Sequence, residues 1–272
     1  MRPNDPAGLT QRYVELPTGI TLNVVERPGS GTPVICLHGV WDWWRYWTPL
    51  IEAGDGSFAG RPLLMLDLRG HGDSSKPESG YTWADYAGDV VALIQQEGYE
   101  RVTLVGHSLG ALTALLTAAE LPQCVESLVL EDPPLPMRKG PNENFRGVYE
   151  MRQQSIEQII DDFSVWRPWT TREQADSSAI CLKETADGVF QAMFSGTSDG
   201  IDVPKPGVTI DAPTLVIRAG IEEQRALRDG GEELLRAVLP NLKLVTIPET
   251  SHTVLRDRPD GYRRVLADTF GA

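Results

Sequence analysis

Ser108 is flanked by glycines in the pentapeptide GHSLG, residues 106–110. The apolar run RVTLVG stops there and the helical pattern LGALTALLTAAELP begins, so the chain must turn from strand to helix within this pentapeptide. Gly106 and Gly110 carry no Cβ, which lets the strand and the helix pack closely on either side of a strained Ser108. We therefore expect the serine hydroxyl to stand at the N-terminus of the helix as a nucleophile, in the G-x-S-x-G elbow arrangement.

A serine hydroxyl needs a base to take its proton, and histidine is the usual base. The chain has four histidines: His38, His71, His107 and His252. The first two lie in glycine turns, and the side chain of His107 should leave the elbow in another direction. His252 follows the strand-like run LKLVTIP in the loop ETSHTVL, where the carboxyl edge of a sheet would face Ser108. We predict that His252 is the general base.

The segment VICLHGVWDWWRYW places His38 and Gly39 at the end of another strand-like run. This turn lets the backbone amide of Val40 point to the same place as the amide of Leu109, the first helical residue after the serine. Two such donors form an oxyanion hole, and each lowers the barrier by about 3 kcal/mol. We expect the imidazole of His38 to brace the turn.

A third turn, DLRGHGDSS at 67–75, contains three residues of metal-binding type: Asp67, His71 and Asp73. No second cluster in the sequence completes a metal site, so we predict a structural turn. The serine chemistry requires neither a metal nor another cofactor.

Strands and helices must position these turns, and the sequence alternates between the two. Most of the short apolar runs are continuous, as in strands of a parallel sheet buried on both faces. The runs are YVEL, ITLNVV, PVICL, PLLMLDL, RVTLVG, ESLVLED, PTLVIRAG and LKLVTIP. Helical patterns lie between them, one of which begins after Thr82. The alternation predicts an α/β fold with right-handed crossovers, and the first two runs predict an antiparallel hairpin at one edge.

The alternation stops from about Leu135 to Ile210. The segments ENFRGVYEMRQQSIEQIIDDF and TREQADSSAICLKETADGVFQAMF read as helical with no strand between them, and proline-rich stretches bound the region. We predict one domain whose core comprises residues 1–134 and 211–272, with a helical cap at 135–210 inserted after the sixth strand.

Composition excludes several classes of partner. The 272 residues are 41% hydrophobic, enough for one sizeable core, and the formal net charge is −13. Such acidity would repel nucleic acid and anionic membranes. Neither a signal segment nor a run of transmembrane length is apparent, and three widely spaced cysteines suggest reduced thiols, so we expect a cytoplasmic protein. We expect a monomer or homodimer that binds a small-molecule ester or lactone.

The motifs HG, RGHGDS, GHSLG and a late SH, each at a strand end and in this order, resemble those of the α/β-hydrolase superfamily. The resemblance covers nearly the whole chain. It implies a mostly parallel eight-stranded sheet, a cap over the active site, and a triad in the order serine, acid, histidine. It also implies Ser108 as nucleophile, His252 as base, and the amides of Val40 and Leu109 as the oxyanion hole.

The acid of the triad has two candidates. The superfamily usually places it just after the seventh strand, where this chain offers Glu223 three positions after Gly220. Some relatives, including haloalkane dehalogenases and zearalenone lactonases, use a residue after the sixth strand, where this chain has Asp132. Prolines fix the chain that leaves Asp132, whereas the segment around Glu223 reads as polar helix and loop. We favour Asp132 and keep Glu223 as the alternative; Glu131 then points to the other face of the strand as a structural residue.

We expect aromatic residues to line the substrate pocket. A run of five follows the oxyanion turn, and we assign part of it to packing and part to the pocket wall. More aromatic residues lie in the predicted cap, which suits an apolar or aromatic substrate. The predicted pocket residues are Trp43, Trp44, His107, Trp166 and Phe194.

We predict a serine hydrolase that cleaves a carboxylic ester or lactone through an acyl-enzyme. The alternatives are a lactonase, including one for macrocyclic lactones such as zearalenone, a carbon–carbon bond hydrolase, an aminopeptidase, and a non-catalytic ligand-binding member of the superfamily. A dehalogenase or epoxide hydrolase is disfavoured, because those relatives carry Asp where this chain has Ser108.

Overall fold

The computed structural model describes residues 5–52, 58–137, 143–166, 171–195 and 207–271. In this part of the chain the backbone forms one sheet of eight strands, in the order β1-β2-β4-β3-β5-β6-β7-β8. The strands are Thr10–Glu15 (β1), Thr21–Arg27 (β2), Val34–Leu37 (β3), Leu63–Leu66 (β4), Val102–His107 (β5), Val125–Glu131 (β6), Thr214–Ala219 (β7) and Leu242–Ile247 (β8).

The sheet is parallel from β4 to β8, whereas β2 is antiparallel to both β1 and β4, so β2 is the strand of the described sheet that runs the other way. Its central strands are buried along their whole length, as their continuous apolar sequence predicts. The α/β fold, the mostly parallel eight-stranded sheet and the edge hairpin are therefore confirmed.

Ten α-helices lie in the described part of the chain. They are Thr48–Glu52 (α1), Trp83–Gln96 (α2), Leu109–Glu120 (α3), Glu143–Met151 (α4), Ile156–Trp166 (α5), Arg172–Glu184 (α6), Asp187–Ser195 (α7), Gly231–Arg236 (α8), Val254–Asp257 (α9) and Pro259–Phe270 (α10). The start of α2 follows the sequence, because Thr82 and Asp85 form a reciprocal capping box. None of the helices in these ranges is long and apolar enough to cross a membrane.

Alternate residues of each central strand pack on opposite faces of the sheet. Leu128 and Leu130 of β6 join the core between the sheet and helices α2 and α3. Val129 joins the second core, which contains Tyr262 of α10 and the 3-10 turn Trp44–Trp47. This period of two decides which way each residue at the end of β6 points.

Helices α4 to α7 lie between β6 and β7, and we call them the insertion. Each of the two predicted helical segments is divided into two helices. Ser155 and Gln158 exchange hydrogen bonds between side chain and backbone, which begins α5 as a separate helix. At the second division, the hydroxyl of Thr185 donates to the carbonyl of Cys181 at the end of α6.

The insertion has a small apolar cluster of its own, which includes Ile159, Leu182 and Phe190. Val189 and Met193 of α7 instead belong to the core beside α2 and α3. The insertion is thus packed onto the sheet domain through α7. The exact boundaries at 134/135 and 210/211 stay predictions.

Candidate active site

Ser108 stands in a strained backbone conformation between β5 and α3, with φ 52° and ψ −111°. A Cβ on Gly106 would collide with the carbonyl of Gly110, and a Cβ on Gly110 would collide with the carbonyl of Leu37. Both glycines are therefore required by close backbone contacts around the turn. The amide of Ser108 is fixed by a hydrogen bond to the carbonyl of Glu131, at 3.0 Å.

The two predicted oxyanion amides flank the serine. Leu109 is the first residue of α3, where backbone N–H groups have no partner within the helix. Val40 follows Gly39, and a Cβ placed on Gly39 would lie 3.4 Å from the Cβ of Ser108. The turn after β3 thus runs directly beside the nucleophile. The role of these two amides as an oxyanion hole stays a prediction.

His252 and Asp132 are hydrogen-bonded, with 2.7 Å between Nδ1 of the imidazole and Oδ2 of the carboxylate. Asp132 is fully buried at the tip of β6. Its carboxylate accepts backbone N–H groups from Ala226 at 2.7 Å, Leu227 at 3.3 Å and Ala219 at 3.4 Å. The carboxylate is held by the backbone and in turn orients the imidazole.

The alternative acid, Glu223, is exposed in the short 3-10 turn Glu222–Gln224. The acidic partner that the structure gives to Nδ1 of His252 is Asp132. The segment that contains Glu223 still serves the site, because it continues into Ala226 and Leu227, whose amides bind Asp132. The sequence analysis missed these two residues, because every residue except proline has a backbone N–H and residue type therefore does not identify the donor.

His107 contacts the loop that carries His252. Its ring stacks on Tyr46, with centroids 4.5 Å apart and planes 5° apart. Its Nε2 lies 2.9 Å from the backbone carbonyl of His252, so it supports the loop as a donor. We predicted it as part of the pocket, and the structure shows it 4% exposed, in contact with the backbone of the base.

His38 joins two of the predicted turns. Its Nε2 accepts the amide of Leu68, so Nδ1 carries the proton and donates to the carbonyl of Gly39. Burial lowers the pKa of His38 to about 4, and that of His71 to about 3. Both imidazoles are neutral near pH 7 and brace the turns.

Asp67 is a structural residue in the same region. Its carboxylate accepts the amides of Trp44 and Asp73 and the side chain of Asn23. Burial raises its pKa to about 6. Among the described residues, no group of three His, Cys, Asp or Glu could hold a metal ion.

The aromatic run after the oxyanion turn divides in a way that corrects the prediction. Trp44 is fully buried in the core on the α10 side of the sheet, so it cannot line a pocket there. Trp43 donates from its indole to Ser177 of α6, at 2.8 Å. Trp41 is the ring that meets the insertion: it stacks on Phe190 at 5.7 Å and meets Phe145 edge-on at 5.3 Å.

Phe194 packs against this same group, edge-on to Tyr149 at 5.6 Å. The side chain of Trp166 lies outside the described residues. The sequence prediction favoured Trp43 and Trp44 over Trp41. Trp41 lies in the turn before the 3-10 turn, with φ 60°, a backbone conformation that the residue types of the run do not reveal.

A buried ion pair joins α9, just after His252, to the turn that follows β3. Arg256 of α9 donates to Asp42 at 2.8 Å, and both side chains are 8% exposed. The same guanidinium donates to Ser178 of α6 at 3.1 Å and lies over the ring of Tyr46. Three segments around the site therefore meet at one cation.

The model of the "Alpha/beta hydrolase family" matches residues 34–265, which include Ser108, Asp132 and His252. The chain belongs to this family. The 2-(acetamidomethylene)succinate hydrolase of Mesorhizobium japonicum is 27% identical to it over 255 residues, 89% of this chain and 88% of that protein. Sequence and fold together establish a hydrolase.

Two solved structures of other alpha/beta hydrolases share the fold. Epoxide hydrolase CorEH superposes with a TM-score of 0.73 at 19% identity, covering 96% of this chain and 98% of its own. Est816, described as an N-acyl homoserine lactone degrading enzyme, gives a TM-score of 0.71 at 22% identity, covering 94% and 99%. One fold thus carries several hydrolytic chemistries, and the substrate must be inferred from the site.

Proposed function

We propose that this alpha/beta hydrolase is a serine hydrolase that cleaves a carboxylic ester or lactone of an apolar or aromatic small molecule. The observation that carries the proposal is the His252–Asp132 hydrogen bond of 2.7 Å at the same sheet edge as Ser108. A nucleophile, a base and an acid that orients the base are the three parts that acyl transfer needs.

In the first half of the reaction, Oγ of Ser108 bonds to the substrate carbonyl carbon as His252 takes its proton on Nε2. The negative charge that develops on the carbonyl oxygen is stabilised by the amides of Val40 and Leu109. When the C–O bond of the ester breaks, the leaving alkoxide takes the proton back from His252. The product of this half-reaction is an acyl-enzyme on Ser108 and an alcohol, which is free for an ester and stays attached to the acyl chain for a lactone.

In the second half, water replaces the alcohol. His252 takes a proton from the water as its oxygen bonds to the acyl carbon, and then returns the proton to Oγ of Ser108 as the acid leaves. Asp132 stabilises the imidazolium that forms in both halves and keeps its ring in the right tautomer. The proton count is the same before and after the cycle.

The substrate class rests on the aromatic group formed by Trp41, Phe145, Phe190 and Phe194, which joins the oxyanion turn to the insertion. Rings of this kind bind apolar acyl or aryl groups through large contact areas. We propose that the insertion acts as the cap of the site. Est816's lactone-degrading activity shows that this fold accommodates lactones, which supports testing them beside esters.

A substrate panel tests the proposal. We would assay p-nitrophenyl esters of increasing acyl length, N-acyl homoserine lactones, macrocyclic lactones, and an epoxide. The enzymes would be the wild type, Ser108→Ala, and Ser30→Ala as a control at an exposed serine. We expect turnover of esters or lactones by the wild type and the control, and a loss of at least about 10³-fold in Ser108→Ala.

Each result has a defined meaning. Equal turnover by Ser108→Ala would exclude Ser108 as the nucleophile. Turnover of the epoxide alone would contradict the ester or lactone assignment. Tight stoichiometric ligand binding with no turnover of any compound would favour the non-catalytic binding protein.

A further inference from the structure

Glu131 is a buried carboxyl group directly beside the proposed acid of the triad. It is the last residue of β6 and is fully buried. Because side chains alternate along a strand, Glu131 points to the α10 side of the sheet while Asp132 follows at the strand tip. The proposed reaction uses Asp132 and gives Glu131 no part.

The side chain of Glu131 binds the loop of the base directly. Its Oε1 accepts the backbone amide of Leu255 at 2.9 Å. Leu255 lies in the first turn of α9, three residues after His252. Glu131 also binds the nucleophile through its backbone, since its carbonyl accepts the amide of Ser108.

A second chain of contacts reaches His252 from the same oxygen. The hydroxyl of Tyr46 donates to Oε1 of Glu131 at 2.5 Å. The ring of Tyr46 stacks on His107, whose Nε2 meets the carbonyl of His252 at 2.9 Å. Glu131 therefore reaches the backbone of the base on two sides, once through Leu255 and once through Tyr46 and His107.

We propose that Glu131 is a positioning residue for catalysis: its carboxyl group fixes the backbone of the His252 loop, while Asp132 fixes the imidazole. This inference rests on the proposed serine mechanism. Two neighbouring acids, Glu131 and Asp132, then have different roles. Positioning matters because a misplacement of the base by about 1 Å is enough to lower the rate by about 100-fold.

The surroundings of Glu131 are consistent with a neutral acceptor rather than a charge. Burial raises its pKa to about 8 although the hydrogen bonds from Tyr46 and Leu255 lower it. The nearby charges of Asp132 and Asp257 act in the same direction as burial. The other titratable groups that face it are the hydroxyls of Tyr46 and Tyr262. A neutral amide oxygen should therefore accept the same two hydrogen bonds.

The test compares Glu131→Gln, which keeps an acceptor oxygen, with Glu131→Leu, which removes it. Glu126→Gln, on the same strand but in surface ion pairs with arginines, is the control. We expect Glu131→Leu to lower kcat by about 10- to 100-fold with KM within about threefold of wild type. We expect Glu131→Gln and the control to stay within about threefold in both constants.

Stability is measured beside activity, and kcat is expressed per folded, titrated active site. A Glu131→Leu enzyme with reduced melting temperature and unchanged kcat would overturn the proposal, because that is the result of a purely structural role. A Glu131→Gln enzyme as slow as Glu131→Leu would also overturn it, since the acceptor oxygen would then not be what matters.

Tyr46→Phe keeps the proposal testable if Glu131→Leu does not fold. It retains the ring that stacks on His107 and removes the hydroxyl that binds Glu131. We expect its kcat to fall by about 3- to 10-fold at constant KM, and an unchanged kcat would contradict the proposal. Ser108→Ala in the same assay separates the two claims: if it stays active, the serine mechanism fails whatever the Glu131 variants do.

Discussion

Asp132 holds the imidazole of His252 by one hydrogen bond and is itself held by three backbone amides. Asp132→Asn keeps the shape but removes the charge that stabilises the imidazolium and selects its tautomer. We expect kcat to fall by about 10³- to 10⁴-fold with little change in fold. The measurement is kcat and KM on the best ester, with a circular dichroism spectrum of each variant.

Glu223→Gln is the matched control for that experiment, because Glu223 is the other acid at a plausible sequence position but is exposed. We expect its kcat to stay within about twofold of wild type. A large loss in Glu223→Gln with an active Asp132→Asn would reverse the assignment of the acid.

At the residue scale, the sequence identified the groups whose type is fixed by chemistry. The glycines around Ser108 and the scarcity of histidines pointed to the nucleophile and the base. Alternation along β6 also placed Glu131 on the face opposite the site. It could not assign contacts that run through the backbone, such as the amides of Ala226 and Leu227, or the direction of Trp44 in a 3-10 turn.

At the scale of elements, Arg256 ties α9 to the oxyanion turn and to α6. Arg256→Met leaves the buried carboxylate of Asp42 without its cation. Breaking one partner of a buried ion pair is strongly destabilising, so we expect a loss of about 3 kcal/mol in the free energy of unfolding. Urea denaturation measures it.

The Arg258–Glu249 pair is the control, since it has the same 2.8 Å separation but side chains that are 51% and 80% exposed. Arg258→Met should change the free energy of unfolding by less than about 1 kcal/mol. Equal losses of unfolding free energy in the two variants would show that burial does not determine how much the Arg256–Asp42 ion pair contributes to stability.

The strands were more predictable than the helices of the insertion. Most strands are continuous apolar runs, and the central ones are buried along their whole length in the structure. The insertion reads as two long helical segments because its apolar spacing is helical throughout. The breaks come from local side-chain hydrogen bonds near Ser155 and Thr185, which a periodicity analysis does not weigh.

At the scale of the whole molecule, buried titrating groups set how stability depends on pH. His38 and His71 have pKa values lowered from 6.5, so the unfolded chain binds more protons below that pH and stability falls on acidification. Glu131 acts in the opposite sense: its pKa is raised from 4.5 to about 8, so the folded chain holds a proton that the unfolded chain loses. Its contribution falls as pH rises through this interval.

Between about pH 7.2 and 8 the Glu131 effect dominates, because the two histidines are neutral in the folded chain and mostly neutral in the unfolded chain. We expect the wild-type melting temperature to decline across this window and the decline to be smaller in Glu131→Gln. Thermal unfolding at pH 7.2, 7.6 and 8 measures it, with Glu126→Gln as the control. Parallel slopes in all three proteins would contradict the assignment of this titration to Glu131.

The whole-molecule features were the easiest to predict and the least informative about substrate. Alternating strands and helices determine the fold class, and the order of the turn motifs determines which residues meet at the carboxyl edge of the sheet. In the proposed function, the substrate depends on how Trp41 and the aromatic side chains of the insertion pack across that edge. The residue spacing within one segment does not predict how that segment packs against another that is distant in the sequence.

The measurement that tests the central claim most directly is the site at which a fluorophosphonate attaches. The reagent phosphonylates an activated serine, and the tryptic peptide 102–138 contains both Ser108 and Ser127. We predict one adduct per chain at Ser108, an unmodified Ser127, and no adduct in Ser108→Ala. An adduct at another serine, or equal labelling of Ser108→Ala, would contradict the account.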